Sequence, residues 1–191
     1  MLISAAQDTG GEAAAGKFFD DANATFVQLV DVNHAISSAY NLVNVPTAVW
    51  IDEEGRIVRS DEGAYAETHS MGTFKFGTDD YVPSVRDWVQ KGADSKYAQS
   101  ADEHAAKIVP KSSDANLAEA NFKLGVYFHE QGNEQKANQY WEAAQALNTD
   151  SWNYHRQDWS FTPGEANANW GKKVAGLGGK PYYAPVDFLT K

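Results

Sequence analysis

The chain has no cysteine among its 191 residues. Disulfides are therefore excluded, and so is any thiol chemistry performed by the chain alone. The redox compartment stays open, because an absence of cysteine favours neither environment. Positive charge is also scarce: 16 Lys and Arg stand against 26 Asp and Glu, a formal charge of -10 with a pI near 4.8. Like charge repels at long range, so neither a nucleic-acid backbone nor an anionic membrane is expected as a partner. No apolar run approaches the ~20 residues of a membrane-spanning helix. The first residues lack the basic start, apolar core and small-residue cleavage site of a secretory signal. A chain that begins at Met1 is accordingly expected in the cytoplasm, whereas a longer parent leaves the compartment open.

Metal and phosphate signatures are missing as well. His34, His69, His104, His129 and His155 are scattered, with neither an HExxH motif nor a pair at i and i+4, so no metal site is expected. Gly176 to Pro181 is glycine-rich, but it lacks the leading glycine and the Ser or Thr after Lys180 that a phosphate loop needs. No cofactor is expected.

What is present is ample material for a core. Apolar residues make up 42% of the chain and aromatics 13%, enough for one sizeable domain or two small ones. The most informative stretch is Tyr40 to Arg59, YNLVNVPTAVWIDEEGRIVR. Ala48 to Ile51 and Ile57-Val58 are two short β-type runs joined by Asp52-Glu53-Glu54-Gly55. Gly at the last turn position takes the left-handed conformation freely, so the stretch predicts a hairpin. The three acids read as a solvated turn, since catalytic carboxylates usually come from separate elements. Pro46 stands at the mouth of the first strand, where it lacks the N–H a ladder uses. A cis Val45-Pro46 peptide bond is one reason to place it there.

In these residues the chain resembles the thioredoxin superfamily, in particular its TlpA/ResA-like, redoxin branch. There a cis-proline, often followed by Thr, begins the strand facing the redox motif, and a hairpin with a D..G.I pattern follows. Ile3 to Asp8 is similar to the family's second core strand, Leu29-Val30-Asp31 to the short strand before its second helix, and Asp80 to Lys91 to its closing helix. The resemblance covers about the first half of the chain. It implies an α/β thioredoxin-like sandwich in which Val45, Pro46 and Thr47 form the wall where a protein thiol or disulfide partner docks.

Family members carry a CxxC dithiol at the head of the first core helix. That unit lies a strand and a helix ahead of the segment that opens this chain, an offset of about 30 residues. The resemblance thus implies a thioredoxin-like domain over residues 1–110 lacking its first strand and reactive helix. Some relatives carry selenocysteine in the motif, whose codon, misread as a stop, moves an assigned start to a later methionine such as Met1. In the family's sheet the missing strand lies between those resembling Leu2 to Ala6 and the one beginning at Thr47. Both then lose a ladder partner, and self-association through the exposed edge is expected.

Elsewhere, Asp8-Thr9-Gly10-Gly11 reads as a loop and cap before a helix over Glu12 to Asn23. Thr25 to Val30 reads as a strand, and Asp31 or Asn33 as the cap of a short helix ending near Tyr40. Ser60 to Thr78 reads as irregular, and Ala101 to Ile108 as a helix that Pro110 ends. Residues 111–191 read as a helical extension. Ala118, Phe122, Leu124, Gly125, Phe128, Gly132, Ala137, Trp141, Ala144 and Leu147 follow tetratricopeptide spacing, with Asn121 and Thr149 departing from it. One repeat cannot bury its own apolar face, so it is expected to pack on the first domain or on the chain's own tail, with Ser151 to Phe161 as a partner helix. Pro163 to Lys191, with Tyr182-Tyr183, reads as an extended aromatic arm. Trp141, Trp152, Trp159 and Trp170 are assigned to packing ahead of a binding face.

Two functions from different classes follow. One is the C-terminal portion of a thiol-disulfide oxidoreductase, inactive in redox chemistry as the chain stands. The other is a redox-inactive adaptor that binds protein partners through the helical repeat.

Overall fold

The computed structural model describes residues 1–71, 74–180, 183, 184 and 186–188. The fold is mixed α/β. In chain order its elements are β1 (Ile3–Ala6), α1 (Glu12–Ala22), β2 (Val27–Val30), α2 (Ala35–Ala39), β3 (Thr47–Ile51), β4 (Ile57–Glu62), β5 (His69–Met71), β6 (Phe74–Phe76), α3 (Tyr81–Lys91), α4 (Ala101–Ala105), α5 (Ser113–Glu130), α6 (Glu134–Leu147), α7 (Trp152–Ser160) and α8 (Pro163–Gly176). No helix among the described residues is long and apolar enough to cross a membrane.

The chain divides into two compact units, one of Met1–Val43 with Lys111–Gly176, the other of Asn44–Pro110 with Leu177–Lys191. These do not coincide with the partition into 1–110 and 111–191 read from the sequence. A linear boundary cannot represent a unit made of two separated segments, and charge and helical periodicity carry no record of which segments meet.

In the first unit β1 and β2 pair in parallel, Ile3 opposite Val27 through Ala6 opposite Val30, with α1 as the crossover. Asp8 starts that crossover by accepting the Gly10 N–H (2.8 Å), and Asn23, at φ 47°, closes it. The Asp31 carboxylate caps α2, one oxygen accepting from Ala35 N–H and the other from Ile36 N–H, both at 2.8 Å. Helices α5 and α6 pack through Phe122, Ala137, Trp141 and Ala144, all buried. Small residues there let the helix backbones approach while Phe122 and Trp141 fill the groove. Each large side chain so buried contributes roughly 1.5–3 kcal/mol. The expectation that the pair packs on other segments is met inside this unit: Phe122 stacks on Tyr154 of α7 at 4.8 Å and lies 5.0 Å from the His34 ring. Leu124 departs from the expected pattern and is 42% exposed.

Two sequence expectations need correction here. The segment from Pro163 is not an extended arm from its start. It is helical to Gly176, beginning with proline at a position where a missing N–H costs nothing. Of the arm beyond, Pro181, Tyr182, Pro185 and positions 189–191 lie outside the described residues. Ser60 to Thr78 is not irregular throughout either: β4 runs on to Glu62, and β5 pairs antiparallel with β6. Gly72 and Thr73 are outside the described residues.

In the second unit β3 and β4 form the expected hairpin, Thr47 opposite Glu62. Asp52 organises the turn by accepting the N–H groups of Glu54 (3.1 Å) and Arg56 (2.8 Å), and Gly55 takes φ 79°. Trp50, Val58 and Tyr81 form the core, with Trp88 stacked on Trp50 at 5.0 Å. Helix α4 opens on a capping box of Ser100 and Glu103 and ends at Ala105, short of the expected Ile108.

Candidate functional site

Val45, Pro46 and Thr47 sit together where the chain enters β3, all three half-buried, and the Val45–Pro46 peptide bond is cis. Proline offers no N–H, so what fixes the corner is its carbonyl, which accepts from Gly63 N–H (2.8 Å) and Ala64 N–H (3.2 Å) at the end of β4. Thr47 Oγ1 donates to the carbonyl of Asn44 at 2.7 Å, which closes the turn beneath it, and Asn44 itself is buried. With that hydroxyl engaged, the corner presents a shaped backbone wall and no nucleophile. On its other side β3 has no strand bonded to it among the described residues.

On the same hairpin lies a buried charged cluster that the sequence did not single out. The Arg59 guanidinium, 3% exposed, donates from Nε to Asp61 at 2.6 Å and from its other nitrogens to the carbonyls of Tyr97 (3.2 Å) and Asp187 (2.8 Å). Tyr81 OH donates to the same Asp61 oxygen and accepts from Trp50 Nε1. Burial, reinforced by the Asp61 charge, pushes the Tyr81 hydroxyl well above its ordinary value, so it serves as a fixed donor. Arg59 and Asp61 lie two apart on one strand face, a spacing that marks a pair but does not reveal that the face is buried.

Compared with models of known families, with curated proteins and with solved structures, the chain matches none. The site therefore rests on its own geometry.

The acidic turn lines a cavity of about 450 Å³ together with Trp88, Tyr97 and Glu103; Val45, Pro46 and Thr47 do not border it. Asp52 lies below the usual carboxylate range because of the Arg56 backbone N–H and side chain, as befits a turn-forming acid. Among the described residues no three His, Asp or Glu side chains converge as a metal site would require. Trp141 and Trp152 are buried, so they pack and offer no face to a ligand.

A polar cluster in the first unit was missed altogether. His34, buried and left-handed at φ 55°, has Nε2 3.1 Å from Gln157 Oε1 and 3.2 Å from Thr9 Oγ1. The same Gln157 oxygen accepts from Thr9 N–H at 2.9 Å. Burial holds the His34 imidazole below its ordinary value. Gln157 is 123 residues from His34, and no local pattern signals a contact at that range.

Proposed function

We propose that the chain is the C-terminal portion of a TlpA/ResA-like thiol-disulfide oxidoreductase, its thioredoxin-like sandwich incomplete and followed by a tetratricopeptide-like hairpin. As it stands it performs no redox chemistry. It supplies the wall at Val45, Pro46 and Thr47 against which a protein disulfide docks, while a dithiol or its selenium equivalent on a preceding strand and helix does the exchange.

The observation that carries this reading is the bare face of the β1–β2 pair. Ile3, Ala5, Val27 and Leu29 project from one side, with Ile3, Val27 and Leu29 each 44–49% exposed, while the alternate residues of both strands are half-buried. Parallel strands are normally covered on both faces, because their crossovers lay helices over them. A parallel pair with one apolar face bare and, among the described residues, neither outer edge paired has room for both a neighbouring strand and a helical layer. A βα unit of the kind that carries CxxC in relatives provides both.

A redox-inactive adaptor is the second reading, and one observation favours it. Leu117, Leu124 and Tyr127 are 52%, 42% and 53% exposed on α5, an apolar stripe at helical spacing that a partner could cover.

The gene upstream of Met1 separates the two. An in-frame strand, helix and CxxC or Cys-to-Sec motif, with disulfide reductase activity in the extended protein that is lost when the motif is changed to serine, supports the first. Absence of such a segment leaves the adaptor.

A further inference from the structure

What holds Val43, in the segment that follows α2, is helix α7. Its carbonyl accepts from the N–H groups of Trp152 (2.8 Å) and Asn153 (3.2 Å), the first two residues of α7. Asn153 Nδ2 donates to the neighbouring Leu42 carbonyl at 2.8 Å. One helical turn further on, on the same face, Gln157 accepts from Thr9 N–H in the loop after β1 and meets His34 in the loop after β2. Asn153 and Gln157 are 2% and 4% exposed, so water cannot take over these bonds.

From this we infer that α7 is the brace of the first unit's loops, with Asn153 and Gln157 as positioning residues for the loops after β1 and β2 and for Leu42 and Val43 after α2. The role of those loops rests on the reading proposed above, whereas the brace rests on the hydrogen bonds alone. It gives the helical extension a task within its own unit: α7 ties together the carboxyl ends of both parallel strands, where α/β folds place their working loops, and the segment after α2.

The chemistry of the Gln157 bridge fixes protonation. Its oxygen carries no hydrogen and already accepts from Thr9, so His34 must donate from Nε2. Burial keeps the imidazole neutral, so His34 Nδ1 is a bare acceptor, buried and without a partner among the described residues. A neutral imidazole in one tautomer results, on a residue whose left-handed backbone is uncommon outside glycine.

The test uses the full 191-residue chain and nitrogen-resolved NMR with amide exchange. Gln157→Met preserves volume and removes the acceptor. It is expected to speed exchange at Thr9 about tenfold, the loss of one buried hydrogen bond, and to abolish the single Nε2-protonated signature of His34. Gln157→Glu keeps the acceptor, so it is expected to restore Thr9 protection and raise the His34 pKa above that of the parent. Asn153→Leu is expected to shift the Leu42 and Val43 amide signals while leaving β5 and β6 unmoved. Met performing as well as Gln at 157, or Leu42 and Val43 unaffected by Asn153→Leu, overturns the inference. These readouts hold whether or not an upstream redox unit exists, so they stand apart from the reductase assay.

Discussion

Gly125 of α5 lies against the Trp141 indole of α6 so closely that a Cβ at 125 would fall 2.3 Å from Trp141 Cδ1. Trp141 is buried and stacked on Phe161 at 5.4 Å, which leaves it little room to retreat. Gly125→Ala is therefore expected to destabilise by up to about 2 kcal/mol, an overpacking cost of about 1–3 kcal/mol offset by about 1 kcal/mol of helix propensity. Gly171 in α8 has nothing within 4 Å, and Gly171→Ala is expected to stabilise by about 0.5–1 kcal/mol. Urea denaturation of both variants, with unchanged m-values, checks the opposite signs.

Arg59 and Asp61 form a buried ion pair, their side chains 4% and 7% exposed. Removing one partner leaves the other charge stranded, so Arg59→Ala is expected to cost about 3–5 kcal/mol. Replacing both, as Arg59→Leu with Asp61→Leu, is expected to cost less than the single change. A double-mutant cycle by chemical denaturation measures this, and strict additivity would refute the coupling.

On α7, His155 and Asp158 pull stability in opposite directions with pH. Burial raises Asp158 from 3.8 to about 7, against bonds from the Trp159 N–H and Gln145 and the Lys173 charge. Between those values the folded chain binds more protons than the unfolded one. Its contribution is complete below the unfolded value and is lost as pH rises toward 7, by at most about 4 kcal/mol. Burial lowers His155 from 6.5 to about 4, with Lys173 adding to the effect. Its contribution is complete above 6.5 and is lost as pH falls toward 4. The two slopes largely cancel across pH 4–6.5. Asp158→Asn is expected to uncover a fall in stability on acidification and His155→Gln a fall on alkalinisation. Thermal melts across pH 4–8 read both slopes.

Elements whose signals are local were legible in the sequence. Asp52 and Gly55 announce the hairpin, and Asp31 or Asn33 the start of α2, where Asp31 is the acceptor. The short β5–β6 hairpin was hidden because each strand has three residues and is sided by Tyr65, His69 and Phe76 rings 4.8–5.3 Å apart drawn from a polar stretch. Helix α8 was hidden by Gly164, Gly171 and Gly176, which weaken helix propensity. The corner residues Val45, Pro46 and Thr47 could be named because proline restricts its own backbone and marks a strand mouth. Gln157 and Asn153 could not, since a buried amide is chosen by partners far away in the chain.

The β1–β2 pair lacks cover on one face and, among the described residues, a strand along either outer edge. Amide exchange across β1 in dilute, monomeric protein tests it most directly, with dye binding to the apolar face as companion signal. The β1 amides not bonded to β2 are expected to exchange at edge-strand rates. Val27→Thr with Leu29→Thr is expected to lower both dye binding and concentration-dependent association. A monomer with every β1 amide strongly protected and no dye bound would contradict it.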